Sequence, residues 1–171
     1  MSVNYIVWDM GSDVPARWGQ CQPGFVDAQA GEGERAIEMR DASLAWAAGN
    51  LSPIRDALLD RIDREAGAIR ARFITDVPGQ AQTYEKKEAE ARAWTAGDPE
   101  ADYPFMAAEA TVRGVPIAQV RAEIMAQVDA LKPIAALVEA HRIHAKQSVK
   151  DAETVAGMIL AATVDWEAVL A

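Results

Sequence analysis

From residue 51 onward, hydrophobic and polar positions follow the period of a helix. One stripe of apolar or small side chains runs in steps of three and four, so its members share one helical face. They are Ile54, Leu58, Ile62, Ala66, Ile69, Phe73 and Val77. Ser52 can cap such a helix and Pro53 can occupy its first turn, where a missing backbone N–H costs nothing. A long amphipathic helix is therefore predicted over about residues 52–76.

A second stripe runs through more than thirty residues of the C-terminal half. Its members are Ile117, Val120, Ile124, Val128, Leu131, Ala135, Val138, His141, Ala145 and Val149. Pro133 lies inside the stripe, and proline bends many helices without ending them, so a bend is expected near residues 129–132. The pattern predicts one helix over about residues 116–149.

Glycine and proline divide the rest of the helical region. Pro78 interrupts the first stripe, residues 97–99 end the helix that follows it, and Gly114 suits the left-handed position after a helix end. Further helices are predicted over about residues 78–96, 104–113 and 151–170, the last as a helical stretch to about residue 160 followed by a terminal turn at residues 164–170. Whether Pro78 and Pro133 bend helices or end them is left open by the sequence.

The first 50 residues have a different pattern, with short alternating runs separated by Gly, Pro and Asp. Strands are predicted at residues 4–9, 17–22 and 35–39, and residues 25–30 fit either a strand or a helical turn. The predicted fold is mostly α: a small β-rich N-terminal docking segment, residues 1–50, precedes a helical region, residues 51–171. The long amphipathic helices are expected to form a hairpin, a bundle or an oligomeric stalk.

The amino-acid composition indicates how the helices pack. Hydrophobic residues make up 50% of the 171, but 35 of them are alanine and only 6% of the chain is aromatic. Alanine favours helices and buries little area per residue, so close helix packing or packing against partners is favoured over one thick core. Cys21 is the only cysteine, which excludes an internal disulfide and is typical of synthesis in a reducing compartment.

The net charge of −9 argues against a nucleic-acid partner. No segment concentrates Lys and Arg, and an acidic chain without a basic face is repelled by phosphates. No run of residues approaches the roughly 18 apolar side chains of a membrane-spanning helix. Neither nucleic-acid binding nor membrane insertion is expected.

Few residues are candidates for catalysis or metal binding. His141 and His144 are three residues apart and could share a metal, but a third ligand is missing, so His141 is expected in the helix stripe and His144 in solvent. Glutamates and cations alternate over residues 85–92, which is typical of a solvated helix face. Cys21 lacks the basic neighbours that activate a thiolate. The sequence therefore predicts no catalytic, metal-binding or cofactor-binding residue and no enzyme activity.

Aromatic residues suggest a different role. Aromatic side chains supply much of the contact energy at protein interfaces, and several large ones lie in the docking segment. The candidate interface residues are Trp8, Trp18, Phe25 and Trp46.

Three stretches of the docking segment form a familiar succession: Trp18-Gly19-Gln20-Cys21-Gln22-Pro23, Ala28-Gln29-Ala30-Gly31-Glu32-Gly33-Glu34, and Ala36-Ile37-Glu38. This succession resembles a module of tail proteins of tailed bacteriophages, including proteins encoded near tail fibres. The helical region is similar to such proteins at residues 76–81, with Tyr84 and Lys87, and again from Tyr103-Pro104 to Arg113-Gly114.

The resemblance implies a structural component of a phage tail, in the fibre, baseplate or adaptor region. It would be made in the host cytoplasm and reside in the virion tail. Its partners would be other tail proteins and copies of itself, with a homotrimer favoured. The alternative is a tail-fibre assembly chaperone that is absent from the mature virion. A small enzyme is a third possibility, which loss of an activity on replacing His141 or His144 would reveal.

Overall fold

The computed structural model describes residues 2–40, 50–73 and 80–170. Its strands are β1 (Val3–Asp9), β2 (Val14–Cys21) and β3 (Glu34–Met39). Its helices are α1 (Ser52–Ala71), α2 (Gln80–Ala93), α3 (Pro104–Arg113), α4 (Ile117–Asp151), α5 (Val155–Ala162) and α6 (Trp166–Leu170). Short 3-10 turns occupy Asp27–Gln29 and Glu100–Asp102. The predicted fold class, mostly α with a small β-rich N-terminal cap, is confirmed.

The three strands form one antiparallel sheet in the order β2-β1-β3. Ile6 of β1 lies opposite Trp18 of β2 on one side and Ile37 of β3 on the other. Consecutive residues Ile6, Val7 and Trp8 are all buried, although neighbours along a strand point to opposite faces. Both faces of the central strand are therefore covered.

Contacts divide the chain into two compact units. The sheet unit comprises Met1–Ala68 and Val138–Ala171, and the helical unit comprises Ile69–Leu137. The sheet unit contains the three strands, most of α1, the last part of α4, and helices α5 and α6. The helical unit contains α2, α3 and the first part of α4.

The predicted stripe of α1 forms much of the core of the sheet unit. Ile54, Leu58 and Ile62 are fully buried, in steps of four along one helical face. Beside this stripe, the carboxylate of Asp63 accepts hydrogen bonds from Arg142 and Lys146 of α4, with both N–O distances at 2.6 Å. Apolar contacts thus hold α1 in the sheet unit, and ion pairs to α4 lie beside these contacts.

The helical unit has its own small core, made by Ala91, Met106, Ala110, Ile117 and Val120. Helix α3 ends where the sequence indicated, because Gly114 adopts the left-handed conformation at φ 64°. This places α3 against α2 and the start of α4.

The structure shows how Pro133 and residues 151–170 are accommodated in the C-terminal helices. Pro133 lies inside α4, which continues on both sides of it, so this proline does not end the helix. The region predicted over residues 151–170, as a helical stretch followed by a terminal turn, contains two helices, α5 and α6. Thr154 begins α5 by accepting a hydrogen bond from the Gly157 N–H, and the backbone is extended at Thr163 after its end. Pro78 lies outside the described residues.

Candidate interaction surface

Strand β2 is an edge strand of the sheet, and most of its side chains are exposed. In the described part of the chain, β1 is its only strand partner, so half of its backbone N–H and C=O groups point away from the sheet. The indole of Trp18 is 55% exposed and lies in this strand. An edge of this kind can pair with a strand from another molecule.

The register explains why Trp18 is exposed. Residues directly opposite one another share a sheet face, so Trp18, Ile6 and Ile37 form one row across the three strands. Ile6 and Ile37 are buried, whereas Trp18 is not. The rest of the unit therefore covers this face over β1 and β3 and leaves the β2 end of the row open.

Only the second half of β2 offers a regular edge. The pairing of β1 with β2 shifts between Val7 and Trp8, which leaves Ala16 as an extra residue opposite β1. Pro15 also lacks a backbone N–H, and prolines and bulges commonly protect edge strands from unwanted pairing. The unbroken edge therefore comprises residues 17–21, with Trp18 near its centre.

A second exposed aromatic residue, Phe25, follows β2 in a loop held by an ion pair. The guanidinium of Arg17 makes two hydrogen bonds to the Glu34 carboxylate, each 2.8 Å long, and it also donates to the Gln29 carbonyl. Hydrogen bonds from Arg17 and from the Gly31 N–H lower the pKa of Glu34. These bonds fix the loop at its far end, and Phe25 is 57% exposed on it.

Two of the four candidate interface residues have other outcomes. Trp8 is only 6% exposed, and its indole N–H donates to Asp13 at 2.9 Å, so the structure places it in the interior of the sheet unit and not at a surface. This corrects the expectation for Trp8, which is buried because β1 is the central strand. Trp46 lies outside the described residues. Trp18 and Phe25 are the two exposed candidates.

The polar candidates of α4 and α2 are mostly surface groups. His141 and His144 are both exposed, which corrects the expectation that His141 lies within the helix stripe. Among residues 2–40, 50–73 and 80–170, no group of three His, Cys, Asp or Glu side chains could hold a metal ion. Glu88 pairs with Arg92 along the exposed face of α2, with 2.7 Å between the charged groups.

Glu90 has a structural role that the sequence pattern did not indicate. Its two carboxylate oxygens accept hydrogen bonds from the backbone N–H groups of Phe105 and Met106, at 3.1 and 2.9 Å. Helix α3 begins with Pro104, and the preceding Tyr103 gives no side-chain cap, so these N–H groups need a partner from elsewhere. An uncapped start at Tyr103-Pro104 was the signal for such a partner.

Two further findings bear on interpretation. None of the described helices is both long enough and apolar enough to cross a membrane. No known protein family, curated protein or solved structure matches this chain. Function is therefore inferred from surface chemistry and from the resemblance in the sequence.

Proposed function

We propose that this protein is a structural component of a bacteriophage tail, in the fibre, baseplate or adaptor region, and that it acts through protein–protein contacts. The observation that carries the proposal is the exposed edge of β2, residues 17–21, with Trp18 near its centre. The stretch from Trp18 to Pro23 is also the first of those that resemble phage tail proteins. The resemblance and the exposed edge thus coincide in one short segment.

Docking at this edge would combine two kinds of contact. A strand of a neighbouring tail subunit would complete the backbone hydrogen bonds of residues 17–21. The indole of Trp18 would anchor that strand, because covering a half-exposed tryptophan removes a large apolar surface from water. Phe25, on the loop fixed by the Arg17–Glu34 pair, would contribute a second aromatic contact.

The long helices would supply contacts between copies of the chain. Helix α4 has 35 residues, which corresponds to about 50 Å at 1.5 Å per residue. Within its stripe, Val120, Val138 and Val149 are fully buried in the chain itself, so contacts between copies would use its exposed apolar residues, Leu137 and Ile143. A homotrimer is the state we propose, with its stoichiometry open to direct measurement.

The test of location is quantitative mass spectrometry of purified particles from the source, with the copy number taken against the major tail protein. A fixed multiple of three or six copies per particle is the expected result. Absence from particles, together with binding to unfinished fibres in lysates, would identify an assembly chaperone instead. A source that makes no particles would remove the tail proposal altogether.

The test of the surface is incorporation of variants into particles. Trp18→Ala is expected to lower incorporation by at least about tenfold, since truncation of an aromatic anchor typically costs about 2 kcal/mol of binding. Leu160→Ala is the matched control, because Leu160 is an exposed large apolar residue of α5 in the same unit. Equal loss for both variants would show that β2 is not the docking edge.

A further inference from the structure

The exposed residues of α4 between positions 136 and 147 carry no charge at pH 7. They are Ala136, Leu137, Ala140, His141, Ile143, His144 and Gln147. Asp, Glu, Lys and Arg make up 25% of the chain, and such residues normally occupy the solvent side of a helix. Here that side has two large apolar residues instead, Leu137 and Ile143, which are 47% and 56% exposed. This side of α4 therefore has the composition of a contact surface.

The charged residues of the same stretch are half-buried and paired within the chain. Arg142 lies 2.8 Å from Glu139 and 2.6 Å from Asp63 of α1, and Lys146 lies 2.6 Å from the same Asp63. Residues 136–147 are all described, and their charged members are Glu139, Arg142 and Lys146. The exposed side of this stretch therefore offers neither a carboxylate nor an ammonium group to a partner.

Most of these exposed residues share one helical face, which we call the outer face of α4. Its members are Ala136, Leu137, Ala140, Ile143, His144 and Gln147. Their spacing of three and four residues places them along about 16 Å of the helix. Ala140 lies midway, with Leu137 three residues before it and Ile143 three residues after it. A small residue between two large ones lets a second helix approach closely and contact both of them.

Charge and symmetry both favour a second copy of this chain on the outer face. The chain has a net charge of −9, so copies repel one another and need a contact surface that adds no like charge. The outer face meets this condition, and it gives a charged partner nothing to pair with. A copy centred on Ala140 also brings alanine to alanine. Leu137 and Ile143 of both copies then meet on either side of it, whether the helices run parallel or antiparallel.

We infer that copies of this chain associate through the outer face of α4, with Ala140 of one copy packed against Ala140 of the next. Leu137 and Ile143 supply the apolar contact on either side of the alanines. This assignment rests on the proposed function for the existence of contacts between copies, and it adds the residues that make them. The contacts themselves need no other tail protein, so they form in the purified chain.

Sedimentation velocity of the full-length protein measures the association, which is expected between about 1 and 100 μM. Ala140→Lys and Ala140→Glu should each weaken it at least about tenfold, because each brings like charges together at the centre of the contact. Lysine and glutamate are good helix formers, so neither variant should disturb α4. An equimolar mixture of the two should associate within about threefold of the parent chain, since lysine then meets glutamate. No recovery in the mixture would overturn the pairing of Ala140 with Ala140.

Matched variants on α3 separate the outer face from the net charge of the chain. Ala108→Lys and Ala108→Glu make the same charge changes at an exposed alanine of α3 and should leave the association within about twofold of the parent. Ile143→Lys should weaken it at least about tenfold, whereas Val112→Lys, at an 88% exposed valine of α3, should not. Equal effects on the two helices would show that net charge alone governs association and would overturn the inference.

Solution and particle measurements fail separately. Association through Ala140 in a protein that is absent from particles would keep the outer-face contact and remove the structural role in the tail. A protein that stays monomeric at about 100 μM would overturn the outer-face contact even if it is found in particles. A monomer whose incorporation into particles is lost with Ile143→Lys but not with Val112→Lys would place a different protein on this face, against the inference.

Discussion

The carboxylate of Asp13, in the turn between β1 and β2, accepts a hydrogen bond from the backbone N–H of Ala156 in the first turn of α5, with 2.7 Å between the atoms. The same oxygen accepts the indole N–H of Trp8 at 2.9 Å. Thr154 satisfies another N–H of this helix start, that of Gly157. Asp13 therefore joins the sheet to α5 across 143 positions of sequence.

Replacing Asp13 should destabilise the sheet unit. Asp13→Ala removes a helix cap and leaves the Trp8 N–H without its partner, so we expect the free energy of unfolding to fall by about 2–3 kcal/mol. Asp13 has φ 54°, a left-handed conformation that asparagine tolerates better than alanine. Asp13→Asn keeps one acceptor oxygen and should therefore lose less, about 1 kcal/mol. Urea denaturation measures both, and an equal loss for the two variants would count against this role.

The second cap is the one that Glu90 gives to α3. Glu90→Gln replaces one acceptor oxygen by an amide donor that faces a backbone N–H, so we expect a loss of about 1–2 kcal/mol in the free energy of unfolding. Glu88→Gln is the control on the same helix, because its partner Arg92 is an exposed neighbour and such pairs contribute less than about 1 kcal/mol. Thermal and urea unfolding should rank the two variants in this order; the reverse order would remove Glu90 as a cap.

Local signals in the sequence were enough to place the helices, whereas contacts between distant residues were not predictable. Pro104 and Gly114 fixed the bounds of α3 because capping depends on neighbours in sequence. The pairs Asp13–Ala156 and Glu90–Met106 join residues far apart in the chain, and no local pattern specifies them.

The candidate surfaces show the same difference between local patterns, which the sequence reveals, and contacts between distant residues, which it does not. Alternation of polar and apolar residues located β1 but did not reveal that it is the central strand, which is why Trp8 was expected at a surface. The consecutive apolar residues Ile6, Val7 and Trp8 are typical of a strand covered on both faces and were the available signal. The stripe of α4 was visible in the sequence, but its spacing does not indicate where a covering helix ends. The partial exposure of Ile124 and Val128 could therefore be seen only in the structure.

Acid should weaken the ion pairs between α1 and α4. Partial burial raises the pKa of Asp63, but hydrogen bonds from Lys146 and Arg142 lower it more, so the net shift is downward. A lowered carboxyl pKa stabilises the fold above the unfolded value of about 3.9, and this contribution is lost as the pH falls through the folded value. Because the Asp63 side chain is partly exposed, we expect less than about 1 kcal/mol.

Asp63→Asn measures that contribution. The variant should be less stable than the parent chain at pH 7, and the two should converge only as the pH falls below the lowered pKa of Asp63, where the parent carboxylate is protonated. Asp60→Asn is the control on α1, since Asp60 lies 3.6 Å from a highly exposed Arg40. It should change stability by only a few tenths of a kcal/mol at any pH. A gap for Asp63→Asn that persists unchanged into acid would show that its effect is not electrostatic.

Two tryptophans provide a matched comparison of a satisfied and an unsatisfied indole. The indole N–H of Trp166, in the sheet unit, donates to Glu65 at 3.0 Å, whereas that of Trp94, in the helical unit, is buried without a hydrogen-bond partner in the described chain.

Replacing tryptophan by phenylalanine removes apolar volume at both positions, but only Trp166→Phe also breaks a hydrogen bond to a carboxylate. Hydrogen bonds to charged groups contribute about 1.5–3 kcal/mol, so Trp166→Phe should cost about that much more than Trp94→Phe in the free energy of unfolding. Urea titrations followed by circular dichroism measure the difference. A loss for Trp94→Phe as large as that for Trp166→Phe would mean that the Glu65 bond contributes nothing beyond packing.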